Sequence, residues 1–480
     1  MIAPGFSLTL LLLVAWPLLL VAGLVFEGSR ATLLKLVPWS ALPVLVAAAV
    51  LATDKLQLPF VMLGSGLVLD ASARVFLLLN AGLWLATGLL AGSKLRGAGA
   101  ERFAILLLLA MAGSFCLALA ADAALFFAAS TLTAYSLYAM LAYQADASAQ
   151  PANRVLLVLL VVSDLLVFEL LLLLGQSAGS VDFTALRQAL VNTDNRGLVV
   201  ALLLFGFGIK TGVLGVHFWL KPVFVSAMPA LRPALTGFMF SAGLLGWLRL
   251  LPAGELYLLD MGAGLQWLAW ATLVYAVVLG MLHVHHRALL AYAAIVLGSL
   301  WLVLLGAAQP SLLVSNAITS TIYATVLQAG FAITALLLAG RCSLLTEAVS
   351  LRFLFAGVRW LAVLLLVTAP LGVAAAVQGF NDAVAMQLDW VAAAITFLAV
   401  RGVLLMPASI NADAGDHTLH SDVQPAADLQ GARSLLVSIA LTLAALLAAT
   451  YNLSLQWNSG LLQSGLMIAA AAAAAWLGVA

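Results

Sequence analysis

Residues 198–220 read LVVALLLFGFGIKTGVLGVHFWL. The stretch is apolar and long enough to cross a bilayer, which takes about 20 residues of helix. Yet it carries Lys210 near its middle, with Gly206, Gly208, Gly212 and Gly215 around it. A lysine at the centre of a span costs about 2.5–3.5 kcal/mol on insertion scales, so such residues face a polar interior and mark function. The glycines weaken the helix and let backbone or water approach the ammonium. A lysine held out of water can exchange a proton near neutral pH. The plainer alternative is a lysine that neutralises a buried carboxylate and never titrates. The string is not a phosphate loop, because Ile209 separates Gly208 from Lys210 and the required G-K-[ST] is missing.

Outward from that stretch, the composition removes whole classes of function. Of 480 residues, 65% are hydrophobic and 8% charged, against about 45–50% and about 25% in a soluble domain. So few charges cannot cover a water-facing surface. This excludes a soluble enzyme, a nucleic-acid binder and a disordered regulator. The net charge of +1 selects no acidic or basic partner. Cys116 and Cys342 form no CxxC motif and no disulfide framework. The N-terminus lacks the positive region of a signal peptide, and the run from Phe6 to Phe26 reads as a retained first span.

Apolar runs place about 14 transmembrane helices. They lie near 5–26, 38–53, 73–92, 103–120, 123–143, 155–175, 198–220, 228–251, 264–283, 288–307, 311–340, 355–379, 388–406 and 433–451. A further run at 460–480 is an extra span or an interfacial tail. Every span is read as a helix, because lipid offers the backbone no hydrogen-bond partner. With the N-terminus outside, 14 of the 20 Lys and Arg, from Arg30 to Arg433, fall at inside loops and span ends. Five (Lys55, Arg74, Arg187, Arg196 and Arg249) fall outside, leaving Lys210 within its span. Residues 176–197 are long enough for a short surface helix. Residues 407–432, with Asp413, Asp416, His417, His420, Asp422 and Asp428, read as a solvated inside loop.

Asp164 and Glu169 lie in the span 155–175; Asp164 is the deeper and the better partner for a buried cation. His217 follows Lys210 by seven residues, two helical turns, which predicts one shared face. A histidine there can relay protons or simply pack. His283, His285 and His286 sit beside Arg287 with no carboxylate or Cys, which favours a positive anchor over a metal site. Pro370 and Gly372 interrupt the span 355–379. Breaks in the seventh and twelfth spans, at Gly206, Gly208 and Gly212 and at Pro370, point to inverted repeats with a site at their interface.

These residues resemble a known family. Lys210-Thr211-Gly212, Val216-His217-Phe218-Trp219-Leu220, Pro222, Pro229 and Pro233-Ala234-Leu235 are similar to the central signature of the antiporter-like membrane subunits of respiratory complex I, membrane-bound hydrogenases and Mrp cation/proton antiporters. Further matches run in the same order: Leu67 to Asp70, Asp122 to Phe127, Ser163-Asp164, Thr236 to Arg249, Arg287 to Tyr292 and Ala339-Gly340. The resemblance covers about residues 60–380. It implies an all-α polytopic membrane protein with antiporter-like inverted repeats. It also implies Lys210 as a titrating centre, Asp164 as a modulating carboxylate and His217 as part of a relay.

The chain departs from that pattern where the family is charged. The family's fifth-span glutamate falls on Thr131 and its eighth-span lysine on Ser241. The eleventh-span histidine and lysine fall on Gln328 and Ala332, and the twelfth-span charge falls near Ala375–Val377. The expected organisation is one membrane domain, 1–480. It has N-terminal spans in 1–100, a first repeat in 101–251, a second in 252–406, the hydrophilic loop 407–432 and C-terminal spans in 433–480.

The resemblance implies a subunit taking part in proton or cation translocation, together with other membrane subunits and with a soluble peripheral subunit as an open question. A degenerate, non-conducting scaffold or anchor, and the membrane subunit of an inorganic-carbon uptake system, are the alternatives. No cofactor is implied: haem, Fe–S and nucleotide motifs are all lacking. The chain is therefore at most the non-redox, ion-translocating part of an NADH:quinone oxidoreductase-like enzyme. The expected location is the bacterial inner membrane. An Ala426→Cys variant is predicted to resist impermeant thiol reagents added outside intact cells; rapid labelling there would reverse the topology.

Overall fold

The computed structural model describes residues 4–59, 61, 64–96, 99–143, 149–251, 259–307, 316–342, 349–377 and 382–416, with scattered residues between 437 and 447. The loop beyond Asp416, most of the span 433–451 and the run 460–480 lie outside the described residues, as does Ala426.

The fold is all-α, polytopic and membrane-embedded. Among the described residues nine helices are long and apolar enough to cross a membrane by themselves. They are α4 (Ala71–Leu90), α5 (Ala100–Leu119), α6 (Ala123–Tyr143), α7 (Gln150–Ala178), α13 (Leu259–Leu282), α14 (His286–Ala307), α15 (Asn316–Cys342), α16 (Val349–Val377) and α17 (Asp382–Asp416). Four more predicted spans occur as α1 (Pro4–Leu24) and as shorter pieces. The span 38–53 contains α3 (Leu42–Val50), which follows α2 (Glu27–Leu36) across a bend of 44°. Pro38 and Pro43 stand at the bend, where a missing N–H is tolerated only at a helix start. The surface helix expected in 176–197 is α8 (Phe183–Asn192).

The chain forms two units. The first comprises Met1–Thr211 and Ser226–Pro252. In it, a hairpin of β1 (Asp54–Gln57) and β2 (Gly66–Leu69) pairs antiparallel, Asp54 opposite Leu69. Asp122 anchors this hairpin to α6. Its carboxylate accepts from Ser65 Oγ (3.1 Å), from the Gly66 N–H (3.0 Å) and from the Leu125 N–H (2.9 Å). Asp70 caps α4 by accepting from the Ala73 N–H at 2.7 Å and pairs with Arg249 through two hydrogen bonds, of 2.5 and 3.0 Å. Burial disfavours the Asp70 carboxylate, but Arg249 and the capping bonds outweigh it and hold this carboxyl below its ordinary range.

The eighth predicted span is assembled from α11 (Arg232–Phe238), a π-helical turn over Met239–Leu244 and α12 (Leu245–Leu250). The seventh is α9 (Arg196–Thr211), which stops at Thr211; α10 (Leu220–Ser226) resumes the helix. The break lies at Gly212 and Gly215, with φ of 79° and 93°. Only glycine adopts that left-handed backbone without steric cost. Gly206 and Gly208, expected at the break, are instead helical and buried within α9.

The second unit comprises Gly212–Val225 and Ala253–Ala480. Here the expected break at Pro370 does not occur: α16 is helical on both sides of it. The neighbouring α15 is hydrogen-bonded to this stretch. Thr325 Oγ1 donates to the Ala369 carbonyl at 3.1 Å, and Gln328 Nε2 donates to the Leu365 carbonyl at 2.6 Å and to Thr368 Oγ1 at 2.5 Å. These bonds hold α16 against α15 just before the proline; none of them reaches the Leu366 carbonyl, which is the one Pro370 leaves without its helical donor. At its end, α17 runs to Asp416, beyond the predicted loop boundary at 407. Replacing Gln328 with Leu is expected to destabilise the protein by about 1 kcal/mol, the scale of an interhelical hydrogen bond in a membrane. Thermal unfolding in detergent reads this, and an unchanged midpoint would show that α16 does not depend on Gln328.

Candidate functional site

The site in the first unit begins with a length. α9 has 16 residues, about 24 Å of helix at 1.5 Å per residue. That is shorter than a hydrocarbon layer of about 30 Å. Its C-terminal end, with Lys210 as the penultimate residue, therefore stops within the apolar layer. The last carbonyls of a helix lack intrahelical donors and carry the negative end of its dipole, which suits an ammonium.

Lys210 is 1% exposed. Its Nζ donates to Asp164 Oδ1 of α7 and to Ser130 Oγ of α6, each at 2.8 Å. Three helices therefore converge on one cation. The approach of α7 to α9 needs Gly206: a Cβ there would meet Val167 Cγ2 at 2.8 Å. Ser163, beside Asp164, donates to the Gly206 carbonyl at 2.7 Å and fixes the register of the two helices. Gly206 thus serves as a contact point rather than a break.

Asp164 Oδ2 is buried without a hydrogen-bond partner among the described residues. Tyr135, on α6 one turn beyond Thr131, faces the same carboxylate. One oxygen of Asp164 is thus committed to Lys210, and the Tyr135 hydroxyl interacts with the same carboxylate. Glu169 is exposed and takes no part.

His217 departs from its expected place. Because α9 ends at Thr211, helical spacing does not carry Lys210's face on to it. His217 lies in the second unit, 5% exposed, with Nε2 2.7 Å from the Tyr275 hydroxyl. The three histidines near Arg287 separate: His283 pairs with Lys221 at 2.5 Å, His285 is exposed and His286 is buried.

The positions where family charges were expected are neutral and bonded. Thr131 Oγ1 donates to the Phe127 carbonyl of its own helix at 2.9 Å. Ser241, inside the π-helical turn, donates to Asn80 Oδ1 at 2.7 Å. Gln328 is committed to α16, and Ala332 is fully buried. The sequence reading overlooked Ser130, Tyr135 and Tyr275. Ser130 precedes Thr131 and Tyr135 follows it by one turn, a signal readable only once α7 and α9 are known to pack against α6.

Known proteins bear on these observations as follows. The family described as NADH:quinone oxidoreductase/Mrp antiporter, TM, matches residues 118–406. Hydrogenase-4 component B of Escherichia coli (strain K12) is 32% identical over 78 residues, which is 16% of this chain and only 12% of that protein's length. Among solved structures, the chain is similar to one in the Mrp complex from Dietzia sp. DQ12-45-1b. The TM-score is 0.73 at 19% identity, covering 98% of this chain and 97% of that one. It is also similar to a chain of the membrane-bound sulfane sulfur reductase (MBS), an archaeal respiratory membrane complex. There the TM-score is 0.67 at 15% identity, over 90% and 76% of the two chains. At these identities the structural likeness is one of fold.

Breaking a buried ion pair from one side leaves an uncompensated charge, at a cost of about 3–5 kcal/mol, whereas replacing both partners with apolar groups is often neutral. Asp164→Ala is expected to lose stability on that scale. The double variant Lys210→Met with Asp164→Leu is expected to recover most of it, as read by thermal unfolding of the full chain in detergent. An Asp164→Ala protein as stable as the parent would refute a buried, charged pair.

Proposed function

Because the chain belongs to the NADH:quinone oxidoreductase/Mrp antiporter transmembrane family, we propose that it is a membrane subunit of an Mrp-like or complex I-like assembly and takes part in translocating a proton or cation. The observation that carries this reading is the Lys210–Asp164–Ser130 cluster at the end of a broken helix. Lys210 is the titrating group. Asp164 holds the ammonium in its charged form and, by rotating or protonating, releases it. His217 belongs to the path beyond the break. The partners are other membrane subunits, in keeping with relatives that are named as components of complexes. The location is the bacterial inner membrane with the N-terminus outside.

A second reading has its own support. Thr131, Ser241, Gln328 and Ala332 replace charges with neutral groups, which suits a scaffold or anchor that conducts nothing.

Lys210→Met, nearly isosteric and uncharged, separates the two. In the complex purified intact through a tag on this chain and returned to liposomes, this variant is expected to abolish ion movement while subunit composition stays the same. Ion movement equal to the parent's, in a complex of unchanged composition, would favour the scaffold.

A further inference from the structure

Two carboxylates lie on α7, and only one of them serves the Lys210 cluster. Asp164 is buried and bonded to Lys210. Glu169 follows it by five residues, about 500° of rotation at about 100° per residue, which sets the two about 140° apart around the helix. Glu169 is exposed and shares its face of α7 with Val158, Val162, Leu165 and Leu172, all exposed, with the exposed Phe168 beside it. No hydrogen bond or ion pair among the described residues includes Glu169.

The depth of Glu169 makes lipid a poor neighbour for it. Residues 155–175, between Arg154 and Gln176, carry no charged side chain except Asp164 and Glu169. They span about 31 Å of helix, which matches a hydrocarbon layer of about 30 Å. Glu169 lies four residues past the midpoint, Leu165, so its Cα is about 9 Å beneath the nearer surface of that layer. Cα–Cβ bonds tilt toward the N-terminus of a helix. The side chain therefore points away from that surface and toward the middle. Lysine and arginine reach the interface on long stems, but glutamate has only two methylenes. Ionisable groups within spans almost always face a bundle interior or a wet cavity and have a partner there. Glu169 instead faces outward, on the most apolar of the nine spanning helices among the described residues.

We propose that the face of α7 around Glu169 is covered, in the assembled complex, by a transmembrane helix of a partner subunit that places a lysine or arginine against the Glu169 carboxylate. Charge complementarity selects this occupant. Lipid tails offer no hydrogen-bond donor. A second copy of this chain, packed face to face about a two-fold axis, would set one Glu169 against the other, and like charges repel. The part of this chain beyond Asp416 holds one lysine or arginine in all, Arg433, at the very start of the apolar run 433–451. Between helices in lipid no hydrophobic force acts, so contact depends on packing and on polar links. Leu165, Phe168 and Leu172 provide the packing surface, and Glu169 provides the link that fixes which helix fits and at what height.

This inference rests on the reading that the chain is a subunit of a membrane assembly, and the test tells the two apart. Photoreactive benzoylphenylalanine is placed at Leu172 of the tagged chain, native membranes are irradiated, and the cross-linked peptides are identified by mass spectrometry. The expected adduct is a peptide of another subunit with a lysine or arginine inside an apolar run of about 20 residues. Adducts with phospholipid alone, with a second copy or within the chain would overturn the interface, while other subunits that co-purify would leave the assembly standing. A partner peptide without lysine or arginine would overturn the ion pair. A tagged chain that brings no other subunit through mild detergent would overturn both readings. Glu169→Gln keeps the size and removes the charge. The isolated variant is expected to unfold at the parental temperature, because Glu169 bonds nothing within its own chain. The amount of partner kept per tagged chain after a fixed detergent wash is expected to fall roughly tenfold, the scale of one polar link between helices in a membrane. Parental retention, or a lowered unfolding temperature of the isolated variant, would overturn the ion pair across the interface.

Discussion

An ammonium inside hydrocarbon is too costly to leave unpaired, and much of the first unit's interior geometry follows from that constraint. Lys210 needs an anion and hydrogen-bond acceptors, and each must come from a different helix. Asp164 comes from α7 and Ser130 from α6, both at 2.8 Å. Holding two such distances fixes how closely the helices pack, so α9 carries glycine where α7 crosses it, and Ser163 pins the Gly206 carbonyl. The bonds that secure the cation thus also select small and polar residues two turns of helix around it.

The neutral positions elsewhere have a different physical character. Asn80 with Ser241, and Gln328 with Thr368 and the α16 carbonyls, are hydrogen-bonded links between helices. Such links carry no net charge, bind no proton at physiological pH and cost little to bury once satisfied. They stabilise a packed arrangement. An ion pair does something else: it brings two full charges into the membrane interior, and neither can lose its partner without leaving a buried charge uncompensated. Among the described residues of the first unit, Lys210 and Asp164 form a salt bridge whose cation is fully buried.

How far the sequence could be read depended on whether a feature was local. Long apolar runs such as α4 to α7 were legible because lipid forces each to satisfy its own backbone. The pairing of Lys210 with Asp164 was legible because few carboxylates lie in neighbouring spans. Pro370 misled because a proline within a span does not by itself end the helix; Thr325 and Gln328, which bond the stretch before it, lie on another helix, more than 35 residues away. The seventh break was displaced for a related reason. Four glycines look equivalent in a string, but Gly206 serves close packing, Gly208 is a buried helical residue, and Gly212 and Gly215 take positive φ. β1 was missed because Asp-Lys-Leu-Gln has no apolar alternation; partners on β2, which Asp122 anchors in turn, make it a strand.

Thr211 belongs to one unit and Gly212 to the other, and the chain returns to the first unit at Ser226. A short segment therefore leaves one core, joins a second and goes back. Along it, Lys210 precedes the hinge and His217 and Lys221 follow it, so the two titratable clusters are joined covalently through Gly212 and Gly215. A positive φ at both sites means that an L side chain there would be strained. Glycine takes these conformations without that cost, so α9 can end at Thr211, next to Lys210. That is the physical reason for glycine at these two positions in a span that otherwise favours unbroken helix.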